Sequence, residues 1–169
     1  DYGDDGRKNF GLTLNAGTGG GWAKVYANPV TNPGARLKEP GFAPAPFHTF
    51  VAADFWVSSK VSVGGFARIQ IIEFSTLGGG RVQYVSSRNG PNEIRLRAGG
   101  GIGYVRHLVP LGNRLDTTLE GIGHVSIGMT YRYKLGSMTG FVLSPDYLHM
   151  FGESPSYHLD LNFGLDFQF

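Results

Sequence analysis

The sequence predicts an all-β protein, a single eight-stranded antiparallel up-and-down β-barrel that spans a membrane. Three observations predict it. Apolar and polar residues alternate with period two along most of the chain, and no 3.6-residue apolar pattern persists for three turns. Glycine supplies 27 of the 169 residues, much of it inside the alternating segments, where tight bending and close backbone approach use it. The segments are also long, nearer the roughly 9–11 tilted residues that cross a bilayer than the about 5–6 of a globular strand.

The first segment, "NFGLTLNAG", puts Phe10, Leu12 and Leu14 on one face and Asn9, Thr13 and Asn15 on the other. A long connection over 19–46 follows. It holds Pro29, Pro33, Pro40, Pro44 and Pro46, five of the nine prolines, and reads as an irregular surface loop. "FHTFVAADFWV" then groups Phe47, Val51, Ala53, Phe55 and Val57. "VSVGGFARIQI" sets Val61, Val63, Ala67, Ile69 and Ile71 against Ser62, Arg68 and Gln70. A short strand is expected at "RVQYVSS", and "EIRLRAGGGIGY" sets Ile94, Leu96, Ala98, Ile102 and Tyr104 against Arg95 and Arg97. "LDTTLEGIGHVSIGMTYRYKL" keeps one parity from Leu115 to Leu135 and reads as one long strand, with a tight hairpin near Gly121–Gly123 as the alternative. "TGFVLSPDYLHMF" is a poorer strand, interrupted by Pro145 and Asp146. The last, "YHLDLNFGLDFQF", alternates to the final residue. The eight strands are thus expected at about 8–18, 47–57, 61–75, 81–87, 93–106, 114–135, 139–151 and 157–169, in one domain over 1–169.

The orientation of the faces decides the class. Faces rich in Phe, Leu, Ile and Val carry no charge. The opposite faces carry Arg68, Arg95, Arg97, Asp116, Glu120, Arg132, Lys134, Asp160 and Asp166. In a membrane barrel the apolar faces meet lipid and the charged faces pair inside. Small residues share the charged faces, among them Gly99, Gly101, Gly103, Ser126, Gly128 and Gly164, and leave a narrow lumen room for long side chains. Aromatic residues near strand ends, namely Phe47, Tyr131, Tyr133, Phe163, Phe167 and Phe169, supply an interfacial girdle.

The ending, "NFGLDFQF", resembles the C-terminal insertion signal of Gram-negative outer-membrane β-barrels. Asn162, Gly164, Phe167 and Phe169 match that pattern. In length and rhythm the chain resembles the small eight-stranded barrels of the OmpA and OmpX type. The resemblance implies the outer membrane as location, with both termini periplasmic. It implies outer-membrane lipid as surroundings and the barrel-assembly machinery as a partner during insertion. Other envelope proteins would dock through loop 19–46.

Composition narrows the chemistry. The net charge is +2 with no basic cluster, which excludes a nucleic-acid partner. No cysteine is present, so disulfides, thiolate metal sites and cysteine nucleophiles are absent. No apolar run approaches the roughly 18 residues of a membrane helix. No charged-then-apolar leader opens the chain at Asp1, so an exported form is expected to have lost its signal peptide.

Three rival readings stand beside an anchoring or docking barrel. His124 and Ser126 share a face two residues apart, a spacing that resembles the His-x-Ser of lipid A deacylase barrels. Ile127 stands where that family has Asn, and no following strand position carries its orienting carboxylate, although Glu120 lies nearby. A lipocalin-like soluble barrel is suggested by the G-x-W spacing of Gly20 and Trp22, but lipocalins carry a helix after the barrel and this chain ends in a strand. A small-solute channel meets the narrowness of an eight-stranded lumen. The histidines His48, His107, His124, His149 and His158 are scattered, and "GGGIG" lacks the strand-to-helix setting of a phosphate loop. The expectation is therefore no catalytic centre, no metal site and no cofactor. The lumen is expected to be plugged by Arg68, Arg95, Arg97 and Arg132 facing Asp116, Glu120, Asp160 and Asp166.

Overall fold

Alternation and glycine produce eleven strands and no helix among the described residues. The computed structural model describes residues 9–24, 40–72, 74–111, 114–152 and 155–169, with the backbone alone for 23–24, 40, 109–111 and 114–120. The strands are β1 (Phe10–Lys24), β2 (Pro40–Pro44), β3 (His48–Trp56), β4 (Val61–Gln70), β5 (Ser75–Asn89) and β6 (Asn92–Gly103). They continue as β7 (Val105–Leu111), β8 (Arg114–Glu120), β9 (Gly123–Lys134), β10 (Thr139–Phe151) and β11 (Ser156–Gln168).

Eight of these form the wall, in the order β11, β10, β9, β6, β5, β4, β3, β1. β1 then pairs with β11 from Gly11 opposite Gln168 to Trp22 opposite Tyr157. Every wall pairing is antiparallel, so the sheet is a closed up-and-down barrel with no free edge. Three short turns, at 57–60, 90–91 and 135–138, share one end with residues 9 and 169. The connections after β1, β4, β6 and β10 share the other, called here the loop end.

Burial is inverted relative to a soluble barrel. Arg132 is 1 % exposed, whereas Leu159 and Ile127 on the outer face are 59 % and 62 % exposed. Apolar side chains cover the outside, and polar ones fill the lumen, as lipid surroundings require. Rings gather at both rims. Phe10 lies 5.3 Å from Phe55 and 6.2 Å from Phe169 at the turn end. His149 contacts Phe151 and Tyr157 at 4.8 and 5.0 Å near the loop end.

Several strand bounds differ from the sequence expectation. Residues 19–24 and 40–44, expected within one irregular loop, are strand: β1 runs on to Lys24, and β2 pairs with it from Gly20 opposite Pro44 to Lys24 opposite Pro40. The two prolines end β2 rather than preventing it. The segment 61–75 stops at Gln70, and β5 is longer than 81–87, with a bulge between Val85 and Ser87.

The larger correction concerns 114–135. It is two strands, and only β9 belongs to the wall. β8 pairs with β7 in a separate hairpin, from Val105 opposite Glu120 to Leu111 opposite Arg114. Both arms bend at one level, at Gly103 (φ 131°) and Gly121 (φ 107°). That left-handed backbone is open to glycine and strained for other residues. Alternation does not reveal such a bend, because glycine fits either face of a continuing strand. Asp116 and Glu120 therefore sit on the hairpin, outside the barrel wall, and their side chains lie outside the described residues.

The one cluster of buried apolar side chains among the described residues also sits at the loop end. Val105, at the foot of β7, packs with Ala45, Leu77, Leu148 and Met150, with Phe66 against them. The hairpin is thus seated in the barrel mouth.

Candidate functional site

Strand parity aims the polar residues inward, and register then chooses their partners. Toward the turn end, Asp166 accepts hydrogen bonds from Arg132 Nε (2.6 Å), Arg95 Nη2 (3.1 Å) and Thr13 Oγ1 (3.2 Å). Glu93 accepts from Arg95 Nε at 2.5 Å and from Arg88 Nε at 2.6 Å. In the middle of the lumen Arg81 forks onto Asp54, and Arg97 Nη2 reaches both oxygens of Asp146 at 2.7 and 2.8 Å. Toward the loop end Arg68 grips Asp160 through Nε at 2.7 Å and Nη2 at 3.1 Å. Isolated charges in so dry a space would be costly, and forked pairs share that cost.

Of the residues singled out in the sequence, Arg68, Arg95, Arg97, Arg132, Asp160 and Asp166 meet in these pairs. Asp54, Arg81, Glu93 and Asp146 join them and were not anticipated. Arg81 shows the lumen parity, opposite Val82 and Tyr84. Asp146 is masked in the sequence by Pro145. That proline has no N–H to give the ladder, and the β9–β10 ladder keeps its register but lacks the pairs at 144 and 145, between Leu143–Tyr131 and Asp146–Gly128. The hydroxyls of Thr130 and Ser144 bridge the gap inside at 3.1 Å. Outside, a groove of about 790 Å³ crosses the wall beside Pro145, lined by Ile127, Met129, Leu159 and Leu161.

Within the lumen, a cavity of about 30 Å³ lies among Phe50, Phe66, Arg68, Leu77, Ser126 and Leu148. That is room for about one water. His124 and Ser126 do not form a nucleophile–base pair. His124 sets its ring edge-on to Phe66 at 5.8 Å, and neither of its nitrogens has a hydrogen-bond partner among the described residues.

Three of the five histidines scattered in sequence, His48, His107 and His158, converge at the loop end. His107 Nε2 lies 2.9 Å from His158 Nδ1, and His158 Nε2 lies 2.6 Å from Asp160 Oδ1. His48 Nε2 lies 2.7 Å from Asn162 Oδ1, and its Nδ1 lies 3.1 Å from Arg68 Nη2. Arg68 Nη2 also lies 3.4 Å from His158 Nε2. Carboxylate and amide oxygens only accept, so His158 and His48 donate through Nε2. His48 Nδ1 accepts from Arg68, and one proton lies between His107 Nε2 and His158 Nδ1. β1 offers only glycine to this region, and a Cβ at Gly21 would lie 2.8 Å from His107 Nε2. Burial, with His158 and Arg68 adding repulsion against the pull of Asp160, lowers the His107 pKa to about 3. The Arg68 guanidinium amid these rings repels a cation, and among the described residues no group of three ligating side chains is placed to hold a metal ion.

A second contact fixes the hairpin. Gln70, at the end of β4, donates to Arg106 O at 2.8 Å and accepts from Arg106 N–H at 3.2 Å. Ser75 holds the same amide oxygen at 3.1 Å.

No family model and no curated protein matches the chain. Solved structures do share its fold. Neisserial surface protein A is 12 % identical, over 95 % of this chain and 97 % of that one, with a TM-score of 0.65. The N-terminal β-barrel domain of Pseudomonas aeruginosa OprF is 10 % identical, over 96 % and 98 %, with a TM-score of 0.53. At these identities the likeness is one of fold, that of the small eight-stranded outer-membrane barrels.

Proposed function

We propose that this chain is an integral outer-membrane barrel whose role is structural, as an anchor or a docking platform for other envelope proteins, and that it carries no catalytic centre and no open pore. The observation behind this reading is the lumen. Five arginines, Arg68, Arg81, Arg95, Arg97 and Arg132, are each matched there by a carboxylate, and the β7–β8 hairpin is seated in the mouth. Short turns beside residues 9 and 169, with the two long connections, after β1 and after β6, at the other end, support periplasmic termini and an outward-facing loop end. The docking surface would be that loop end, including segment 25–39, which lies outside the described residues.

The C-terminal residues Asn162, Gly164, Phe167 and Phe169 would serve the assembly machinery as an insertion signal. Two of them also have internal work. Asn162 joins His48 to Asp146, and a Cβ at Gly164 would collide with the Leu14 carbonyl. Phe169 is 55 % exposed at the rim and free to be recognised.

Purified protein in a planar lipid bilayer at neutral pH is expected to show no ion-conducting steps. Sustained conductance would overturn the sealed-lumen reading. Lipid A from cells with and without the protein is expected to carry the same acyl chains, and Ser126→Ala to change nothing. Loss of an acyl chain that depends on Ser126, read by mass spectrometry, would make the protein an enzyme.

A further inference from the structure

We infer that the β7–β8 hairpin is a lid on the barrel mouth that the His107–His158–Asp160 chain holds shut and that acid releases. The inference rests on the sealed-barrel reading and not on the anchoring role.

Three contacts hold the lid, and they differ in kind. Val105 fills the apolar cluster under the mouth, and the Gln70 amide clamps the Arg106 backbone. Neither responds to pH. The third is the His107 Nε2–His158 Nδ1 contact at 2.9 Å, which sets a fully buried imidazole beside Arg68. A His107 cation carries an N–H on both ring nitrogens, and its Nδ1 is buried without a hydrogen-bond partner among the described residues. That cation would also meet the repulsion of Arg68 and His158. The hinge for release is present at Gly103 and Gly121, the two positive-φ glycines where the arms leave the wall.

The groups that face His107 all work in one sense except one. His158 on β11 and Arg68 on β4 oppose its protonation, with His48 on β3 beyond Arg68. Asp160 on β11 favours it, but that carboxylate already accepts from Arg68 and His158. β1 presents Gly21, whose Cβ would lie 2.8 Å from His107 Nε2, β2 (Pro40–Pro44) holds no titratable side chain, and β5 meets the foot of the hairpin at Leu77, in the cluster with Val105. On β8 the cross-strand partner is Thr118, with Asp116 and Glu120 two positions to either side and their side chains outside the described residues.

The sign follows from linkage. Docked, the His107 pKa is about 3; released into water, it returns to about 6.5. Docking is therefore fully favoured above about pH 6.5 and weakens as pH falls toward 3, because only the released form takes up the proton. Between pH 7.5 and 5.0 the released population should rise about 30-fold from His107 alone.

The test is hydrogen exchange of the Arg106 amide, whose acceptor is Gln70, in protein reconstituted into lipid nanodiscs. After correction for intrinsic chemistry, protection should fall about 30-fold from pH 7.5 to pH 5.0. His107→Gln keeps a donor and loses the titration, so its protection should change less than about threefold over the same range. Equal wild-type protection at both pH values, or a full pH response in His107→Gln, would overturn the proposal. Ring nitrogen shifts of His107 give a readout that needs no variant. A ring that protonates near pH 6.5 while Arg106 stays protected would also overturn it.

Discussion

Asp166→Ala is expected to destabilise the barrel by about 3–5 kcal/mol, the range for breaking a buried ion pair by removing one partner. Asp166 is the shared acceptor of Arg132, Arg95 and Thr13, on three different strands. Arg95 keeps Glu93 when Asp166 is lost. Arg132, 1 % exposed, keeps no carboxylate among the described residues. The unmet desolvation of that guanidinium, rather than the lost attraction, makes up most of the effect. A paired change tests this account. Asp166→Leu with Arg132→Met removes both charges and should destabilise less than Asp166→Ala alone. Urea unfolding in lipid vesicles reads both. A loss under about 1 kcal/mol for Asp166→Ala would mean that the lumen is wet enough to solvate Arg132.

Leu161→Arg is expected to lose about 2–4 kcal/mol, the range for a cation on the lipid face at mid-bilayer. Leu161 is 46 % exposed and lies near the middle of β11, opposite Thr18 on one side and Pro145 on the other. In a water-soluble barrel the same exposed position would tolerate arginine within about 0.5 kcal/mol. Unfolding from lipid vesicles therefore separates the two surroundings directly. Leu161→Ala is the control, since it shortens the side chain without adding charge. If arginine and alanine cost the same, the outer face does not meet lipid.

The wall was legible in the sequence because a strand has period two. Alternation at Leu159, Leu161 and Phe163 against Asp160 and Asn162 assigns inside and outside with no knowledge of neighbours. The hairpin was not legible. Leu115 to Leu135 holds one parity, yet the chain turns out of the wall at Gly121, and the partner bend at Gly103 lies in another segment altogether. The polar centre was half legible. Parity aims Arg68, Arg95, Arg97 and Arg132 inward, and it aims Asp54, between Ala53 and Phe55, the same way, whereas Pro145 obscures the rhythm at Asp146.

What the amino-acid order determined by itself is the class of the protein: strands of membrane-crossing length, a polar lumen and an apolar exterior. Only the tertiary structure decided who meets whom. Arg68 finds Asp160 across 92 positions, and His107 finds His158 across 51. Those meetings depend on how the strands are staggered as the sheet closes and on where a hairpin folds back over the mouth. Alternation is a property of one strand, and register is a property of two. A side chain's direction can therefore be read along the chain, while its partner is fixed only when the last strand, β11, pairs with the first.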